Sequence, residues 1–171
     1  MERLNYSVDD IGAATVPRIQ VDQVPFSDVE GIFVKEGDLY QKTFQHEMSQ
    51  GMFRALSLVI QMNYAYYEKV PYCVLIDDIG EGLDFERSAM LIKIIIEKAE
   101  DSSMQVIMST NDRFVMNNVS LEYWAVIQRL GSRCKVFNYE NSKKVFDEFQ
   151  FTGLSNFDFL STEFYLSGFD K

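Results

Sequence analysis

Histidine occurs once in this chain of 171 residues, as His46, and cysteine twice, as Cys73 and Cys134. A lone imidazole, read as a solvated or capping group, leaves no histidine-centred metal cluster or triad, and the two thiols have no metal-binding spacing. Each cysteine lies in or beside an apolar run, which predicts buried thiols in a reducing compartment rather than a disulfide framework. Basic residues are also scarce, 16 against 26 acidic, for a net charge of −10. That balance denies the chain a broad cationic track for a nucleic-acid backbone, so any such contact would need a local patch or another chain. No apolar run approaches the ~20 residues of a membrane span, and the segment from Met1 to Asn5 lacks the apolar core of a signal peptide. The expectation is a soluble, cytoplasmic protein with no membrane contact. Finally, no G-x-x-x-x-G-K-[ST] occurs, and none of the nine glycines precedes a lysine. The usual loop for cradling nucleotide phosphates is therefore not encoded here.

What is present is a globular composition, 47% hydrophobic and 14% aromatic, long enough for one domain with its own core. Pro17 and Pro25 interrupt the first thirty residues, where Arg18 to Asp22 alternate as a short strand, and the region reads as a peripheral arm. Residues 32–35 and 39–44 alternate around Glu36-Gly37-Asp38, a β-hairpin pattern. Ser49 stands as N-cap of a helix to about Tyr67. Pro71 separates that helix from the strand Cys73-Val74-Leu75-Ile76, whose apolar run predicts cover on both faces. A helix over 87–99 with apolar Met90, Leu91, Ile94 and Ile95 and a strand over 104–108 complete a βαβ unit, right-handed by the general rule. A short helix through Phe114 and Met116, strands around 124–127 and 134–137, and C-terminal helices follow. The expected fold is α/β, a mostly parallel sheet flanked by helices, with the hairpin and arm at the N-terminus. Ligands in such sheets collect at the carboxyl ends of strands, where Asp77, Asp78, Ser109 and Thr110 fall.

Two adjacent carboxylates at a strand end suit Mg²⁺ binding by one and orientation of a water by the other. An acidic pair is equally at home in the N-cap region of the next helix. Upstream, Met48-Ser49-Gln50-Gly51 opens a helix with free N–H groups and a hydroxyl, an anion site or simply a capped terminus. Tyr64, Tyr66 and Tyr67 read as packing residues more than as base-stacking ones. Asp147, Glu148 and Asp158 read as a solvated face. Phe149, Phe151, Phe157, Phe159 and Phe164 read as packing against the core or a partner.

Taken in order, these motifs resemble the ABC-type ATPases, in particular the soluble branch of SMC proteins, RecF-like proteins and overcoming-lysogenisation-defect ATPases of phage defence. Met48-Ser49-Gln50-Gly51 with Arg54 is similar to their signature motif and Val74-Leu75-Ile76-Asp77-Asp78 to their Walker B strand. Gly82-Leu83-Asp84 is similar to the D-loop, and Met108-Ser109-Thr110-Asn111 to the switch strand. The resemblance spans about residues 32–139. It implies ATP and Mg²⁺ as cofactors, with Asp77 holding the metal through water and Asp78 polarising the attacking water. It implies further that Ser49, Gln50 and Gly51 contact the γ-phosphate of a nucleotide held by the opposite subunit, with Asp84 across the same interface. A homodimer or heterodimer would form through this ATP sandwich.

Three departures qualify those roles. Asp78 stands where the family has glutamate and Asn111 where it has the switch histidine, so a hydrogen bond survives without an ionisable group and hydrolysis is expected to be slow. The absent Walker A implies the C-terminal half of an ATPase, completed by a P-loop-bearing half or subunit. On this reading residues 1–171 are one partial domain: arm and hairpin over 1–47, motif core over 48–140, C-terminal helices over 141–171. The alternative is a degenerate ATPase-like scaffold serving as an interaction module. A Mg²⁺ nuclease built on Asp77 and Asp78 is a third reading, weakened by the want of further acidic and lysine residues at recognisable spacing.

Overall fold

The computed structural model describes residues 1–16, 29–69 and 71–168. The alternating segment expected over Arg18–Asp22, with Pro17 and Pro25, lies outside them. The chain divides into two compact units, Met1–Leu75 with Glu81–Ile107, and Ile76–Gly80 with Met108–Lys171.

In the first unit, β1 (Val8–Thr15), β2 (Glu30–Glu36) and β3 (Lys42–Phe44) form an antiparallel sheet in that order. Part of the expected arm is thus a sheet strand. Ile11 pairs with Val34 and Ala13 with Ile32, after an irregularity in register between Val8 and Asp10. The predicted hairpin is β2 and β3, with Phe33 opposite Phe44. Val34, on this sheet, is buried with Met52 and Leu56 of α1 (Gln50–Glu68). Helix α1 begins where Ser49 Oγ accepts the Met52 N–H at 3.2 Å, and it ends at Lys69 in the left-handed region. After β4 (Tyr72–Ile76), Asp84 caps α2 (Phe85–Glu100), which buries Leu91, Ile92, Ile94 and Ile95 before β5 (Met104–Met108). Strands β4 and β5 are hydrogen-bonded neighbours in a sheet of two.

The second unit contains the last residues of those strands, α3 (Arg113–Asn117), an antiparallel pair β6 (Ala125–Leu130) and β7 (Arg133–Asn138), then α4 (Lys143–Gln150) and α5 (Asn156–Ser161). Its core is aromatic: Phe137, Phe146, Phe149, Phe159 and Tyr165 are buried together with Leu121 and Val126. Phe146 and Phe159 have ring centroids 4.5 Å apart. Phe164 packs at the edge of this cluster, whereas Phe151 is 89% exposed. The acidic residues expected to form a solvated face are partly structural. Asp158 completes a capping box with Ser155, Asp147 accepts the Tyr139 hydroxyl at 2.8 Å, and Glu148 lies 3.4 Å from Lys144.

The α/β class holds, but the mostly parallel sheet does not. Both β1-β2-β3 and β6-β7 are antiparallel, and for β2-β3 and β6-β7 the reason is the shortness of the connections. Gly131 and Ser132, the former at φ 63°, suffice to turn β6 into β7, whereas a parallel crossover needs a dozen or more residues. Cover on both faces is likewise not met for β4. Val74 and Ile76 are buried, while Cys73 is exposed and Leu75 is 74% exposed. Cys134 is exposed too, so neither thiol is the buried group expected. An uninterrupted apolar run identifies the strand but not how many of its faces this chain covers. His46 is exposed with its ring stacked on Phe44, and Tyr64 and Tyr67 are exposed rather than packed.

Candidate functional site

The acidic turn after β4 lies in the second unit, and Ser109 of the same unit supplies its support. Ser109 immediately follows β5, and its three polar groups make four hydrogen bonds to four consecutive residues. Its N–H donates to the Ile76 carbonyl at 2.9 Å and its carbonyl accepts the Ile79 N–H at 3.0 Å. Its hydroxyl donates to Asp77 Oδ1 at 2.5 Å and accepts the Asp78 N–H at 3.0 Å. Asp78 sits at φ 47°, a left-handed conformation that Asp tolerates better than most residues. Asp77 is exposed and Asp78 half-buried. Behind the turn, Ile79 is fully buried and Gly80 is buried, with space for a Cβ limited by Asp112 and Val115 at 3.3 Å. Asp112 caps α3 by accepting the Phe114 and Val115 N–H groups, so Asn111 lies on the exposed link between β5 and that cap.

The remaining sequence-predicted residues lie in the first unit and are brought together there. Ser49 caps α1, Gln50 begins it, and the buried Gly51 faces the backbone of Gly82. A Cβ on Gly51 would come within 2.0 Å of the Gly82 carbonyl oxygen, and Gly82 itself lies at φ 77°. Beside this contact Arg54 pairs with Glu81 at 3.0 Å. The signature-like and D-loop-like segments are therefore locked to each other by backbone packing and an ion pair. Asp84 accepts the Arg87 N–H at 2.9 Å and is also ion-paired with the Arg87 side chain. The Arg87 N–H, followed by its guanidinium, holds the Asp84 carboxyl below the usual carboxylate range against an opposing desolvation effect. The same guanidinium donates to the carbonyls of Leu4 and Asn5 and lies 4.5 Å from the centre of the Tyr6 ring.

Among the described residues, no group of three or more His, Cys, Asp or Glu could hold a metal ion. A pair of neighbouring carboxylates with a hydroxyl beside them does not make an all-protein cage. It does fit Mg²⁺, which keeps several waters, takes one or two carboxylates and completes its shell with phosphate oxygens. Sequence reasoning placed Ser109 at the strand end but missed its grip on the turn, and missed Arg87 and the packing of Gly51 on Gly82. Only the paired glycines carried a signal, since two glycines in motifs 30 residues apart are compatible with close backbone approach.

No family model and no curated protein matches this sequence. Solved structures do. A chain from a study of ATP-driven dimerization and DNA-stimulated activation of SMC ATPases aligns with a TM-score of 0.53 at 20% identity, covering 87% of both chains. A structure of the Smc head domain with an extended coiled coil, bound to the C-terminal domain of ScpA and derived from Pyrococcus furiosus, aligns at 0.51 and 19% identity over 87% of this chain. A structure of the Smc head bound to the C-terminal winged-helix domain of ScpA aligns at 0.52 and 19% over 83%. This chain spans 36% and 41% of the matched chains in those two structures. Among the described residues no helix is long and apolar enough to cross a membrane. The fold of this chain is that of the SMC-like ATPase heads.

Proposed function

We propose that this chain is the signature and Walker B half of an ABC-like ATPase, one partial domain over residues 1–171, which binds and slowly hydrolyses ATP when a P-loop half is supplied. The observation that carries the reading is the ordered motif set on an SMC-like fold, with Asp77 and Asp78 directly after β4 and Ser49 at the head of α1. Asp77 holds Mg²⁺ through water, and Asp78, one methylene shorter than glutamate, orients the attacking water from a longer reach. A metal held there would supply neutralisation of phosphate charge. Ser49, Gln50 and Gly51 meet the γ-phosphate across a head-to-tail dimer, Asp84 lies at the same interface, and Asn111 offers a neutral hydrogen bond in place of a switch histidine. Closure of such a dimer converts nucleotide binding into a change of association.

The P-loop half would cover the outward face of β4 and β5, where Leu75 is 74% and Ile107 54% exposed. Exposed aliphatic side chains on a sheet face mark a surface that burial would stabilise. The process served is DNA-associated or phage-defence machinery in a cytoplasmic setting. A contact with nucleic acid would come through another chain, given the charge of −10.

One observation favours a second reading, a degenerate scaffold used as an interaction module. Ser49 and Asp84 both serve as helix caps within the chain, and Asp84 is also ion-paired. The readings separate in an association experiment with a P-loop half supplied and Mg-ATP added. Ser49→Arg and Asp77→Ala should each abolish nucleotide-driven association; unchanged association in both variants sinks the ATPase reading.

A further inference from the structure

We propose that Ser109 is the positioning residue of the acidic turn, fixing the Asp77 carboxylate and the left-handed Asp78 backbone through one hydroxyl. The inference rests on the reading of Asp77 as the metal-holding carboxylate. An ionised carboxylate can only accept and a backbone N–H can only donate, so both partners fix the hydroxyl in a single orientation. Its proton points to Asp77 Oδ1 at 2.5 Å and a lone pair receives the Asp78 N–H at 3.0 Å. The backbone of Ser109 cannot do this work. Its N–H and carbonyl are engaged by Ile76 and Ile79, so the hydroxyl is the group of Ser109 that reaches the two residues between them.

The consequence is directional. Asp77 is exposed, and an exposed carboxylate samples several rotamers unless something fixes it. Ser109 supplies such a constraint at Oδ1. At Asp78 it pins the amide of a residue whose φ of 47° is uncommon for any side chain but glycine. A valine at 109 keeps the β-branched shape of threonine without the hydroxyl, so the Val and Thr variants isolate the hydrogen bonds from packing.

The test uses the 171-residue chain, with Mn²⁺ as the probe followed by electron paramagnetic resonance and amide hydrogen exchange read at Asp78. Ser109→Val should weaken Mn²⁺ binding by about tenfold and accelerate exchange at the Asp78 N–H by about threefold to tenfold, the sizes expected for lost hydrogen bonds to a charged and to a neutral group. Ser109→Thr should stay within about twofold of the parent, because its hydroxyl is retained. Ser109→Ala is read in the same way should the valine variant not fold. Parent-like Mn²⁺ binding in Ser109→Val, or equal losses in Ser109→Thr and Ser109→Val, overturns the positioning role. Asp77→Ala separates the two levels. If it abolishes Mn²⁺ binding while Ser109→Val leaves binding unchanged, only the positioning role falls. If Asp77→Ala binds Mn²⁺ as the parent does, or the parent binds none, the metal reading of Asp77 falls and the role of Ser109 falls with it.

Discussion

Gly51 and Gly82 pack backbone to backbone, so closely that a Cβ on Gly51 would lie 2.0 Å from the Gly82 carbonyl oxygen. Within the first unit this contact joins the head of α1 to the turn that leads into Asp84 and α2. Glycine near the start of a helix is otherwise a poor choice, since alanine is favoured by up to ~1 kcal/mol in a helix. Steric exclusion reverses that preference. The obstacle is backbone, which cannot rotate away as a side chain would. Gly51→Ala should therefore destabilise the protein by about 1–3 kcal/mol, the cost of forcing atoms into a packed site. Chemical denaturation with an unchanged m-value checks it; a stabilised variant would show that the turn moves freely.

Ser88 gives the opposite sign. It is 2% exposed on α2, and its hydroxyl has no hydrogen-bond partner among the described residues. A buried polar atom left unpaired carries a desolvation cost without a compensating bond. Alanine removes that cost and is the better helix former. Ser88→Ala should raise stability by about 0.5–1.5 kcal/mol, measured by the same denaturation midpoint. A loss of stability would mean that the hydroxyl is satisfied by a bound water.

The elements themselves were largely legible in the sequence, because their signals are local. Ser49 capped α1 as its position implied, and the strand over 104–108 fell where the apolar run put it. What was not legible depends on partners distant in sequence. Leu75 and Ile107 look like core residues from their own neighbourhoods, yet both are exposed. For Asp84 the motif resemblance implies an interface role. Asp84 is engaged by Arg87, whose guanidinium also reaches the carbonyls of Leu4 and Asn5, 83 and 82 positions from Arg87. Ser109 was legible only as a residue at a strand end, because the hydroxyl's two partners lie 31 and 32 positions back.

Cys73 turns the exposed sheet face into a measurement. It lies on the same outward side of β4 as Leu75, while Cys134 is exposed on β7 in the other unit. Both thiols should be alkylated by a maleimide without denaturant, since access and thiolate fraction govern the rate. Mass spectrometry of peptides should find both labelled. Adding a P-loop half should then slow labelling of Cys73 by about tenfold or more while leaving Cys134 reactive, if burial of the β4 face governs access. Equal rates at both sites, with and without that half, would contradict the proposed cover.

Acidification should loosen the start of α2 through Asp84. The Arg87 N–H and guanidinium favour its charged form, so its folded pKa lies below the ordinary carboxylate value. A depressed folded pKa means that the unfolded chain takes up the proton first. The stabilisation is therefore complete above the unfolded carboxylate pKa and is lost as the pH falls through the folded one. Asp84→Asn separates charge from capping, because asparagine also caps helices well. Near neutral pH the Arg87 amide of the parent should exchange more slowly than that of the Asn variant. The two should converge as the pH drops below the carboxylate range, when both carry a neutral cap. Because the exposed pair is open to solvent, added salt should narrow the gap at neutral pH as well. The Leu4 carbonyl accepts from the same guanidinium, so the amides of the 3₁₀ turn Glu2–Leu4 should lose protection in step with Arg87. A gap that persists unchanged at low pH would mean that the Asp84 charge contributes nothing to holding that turn.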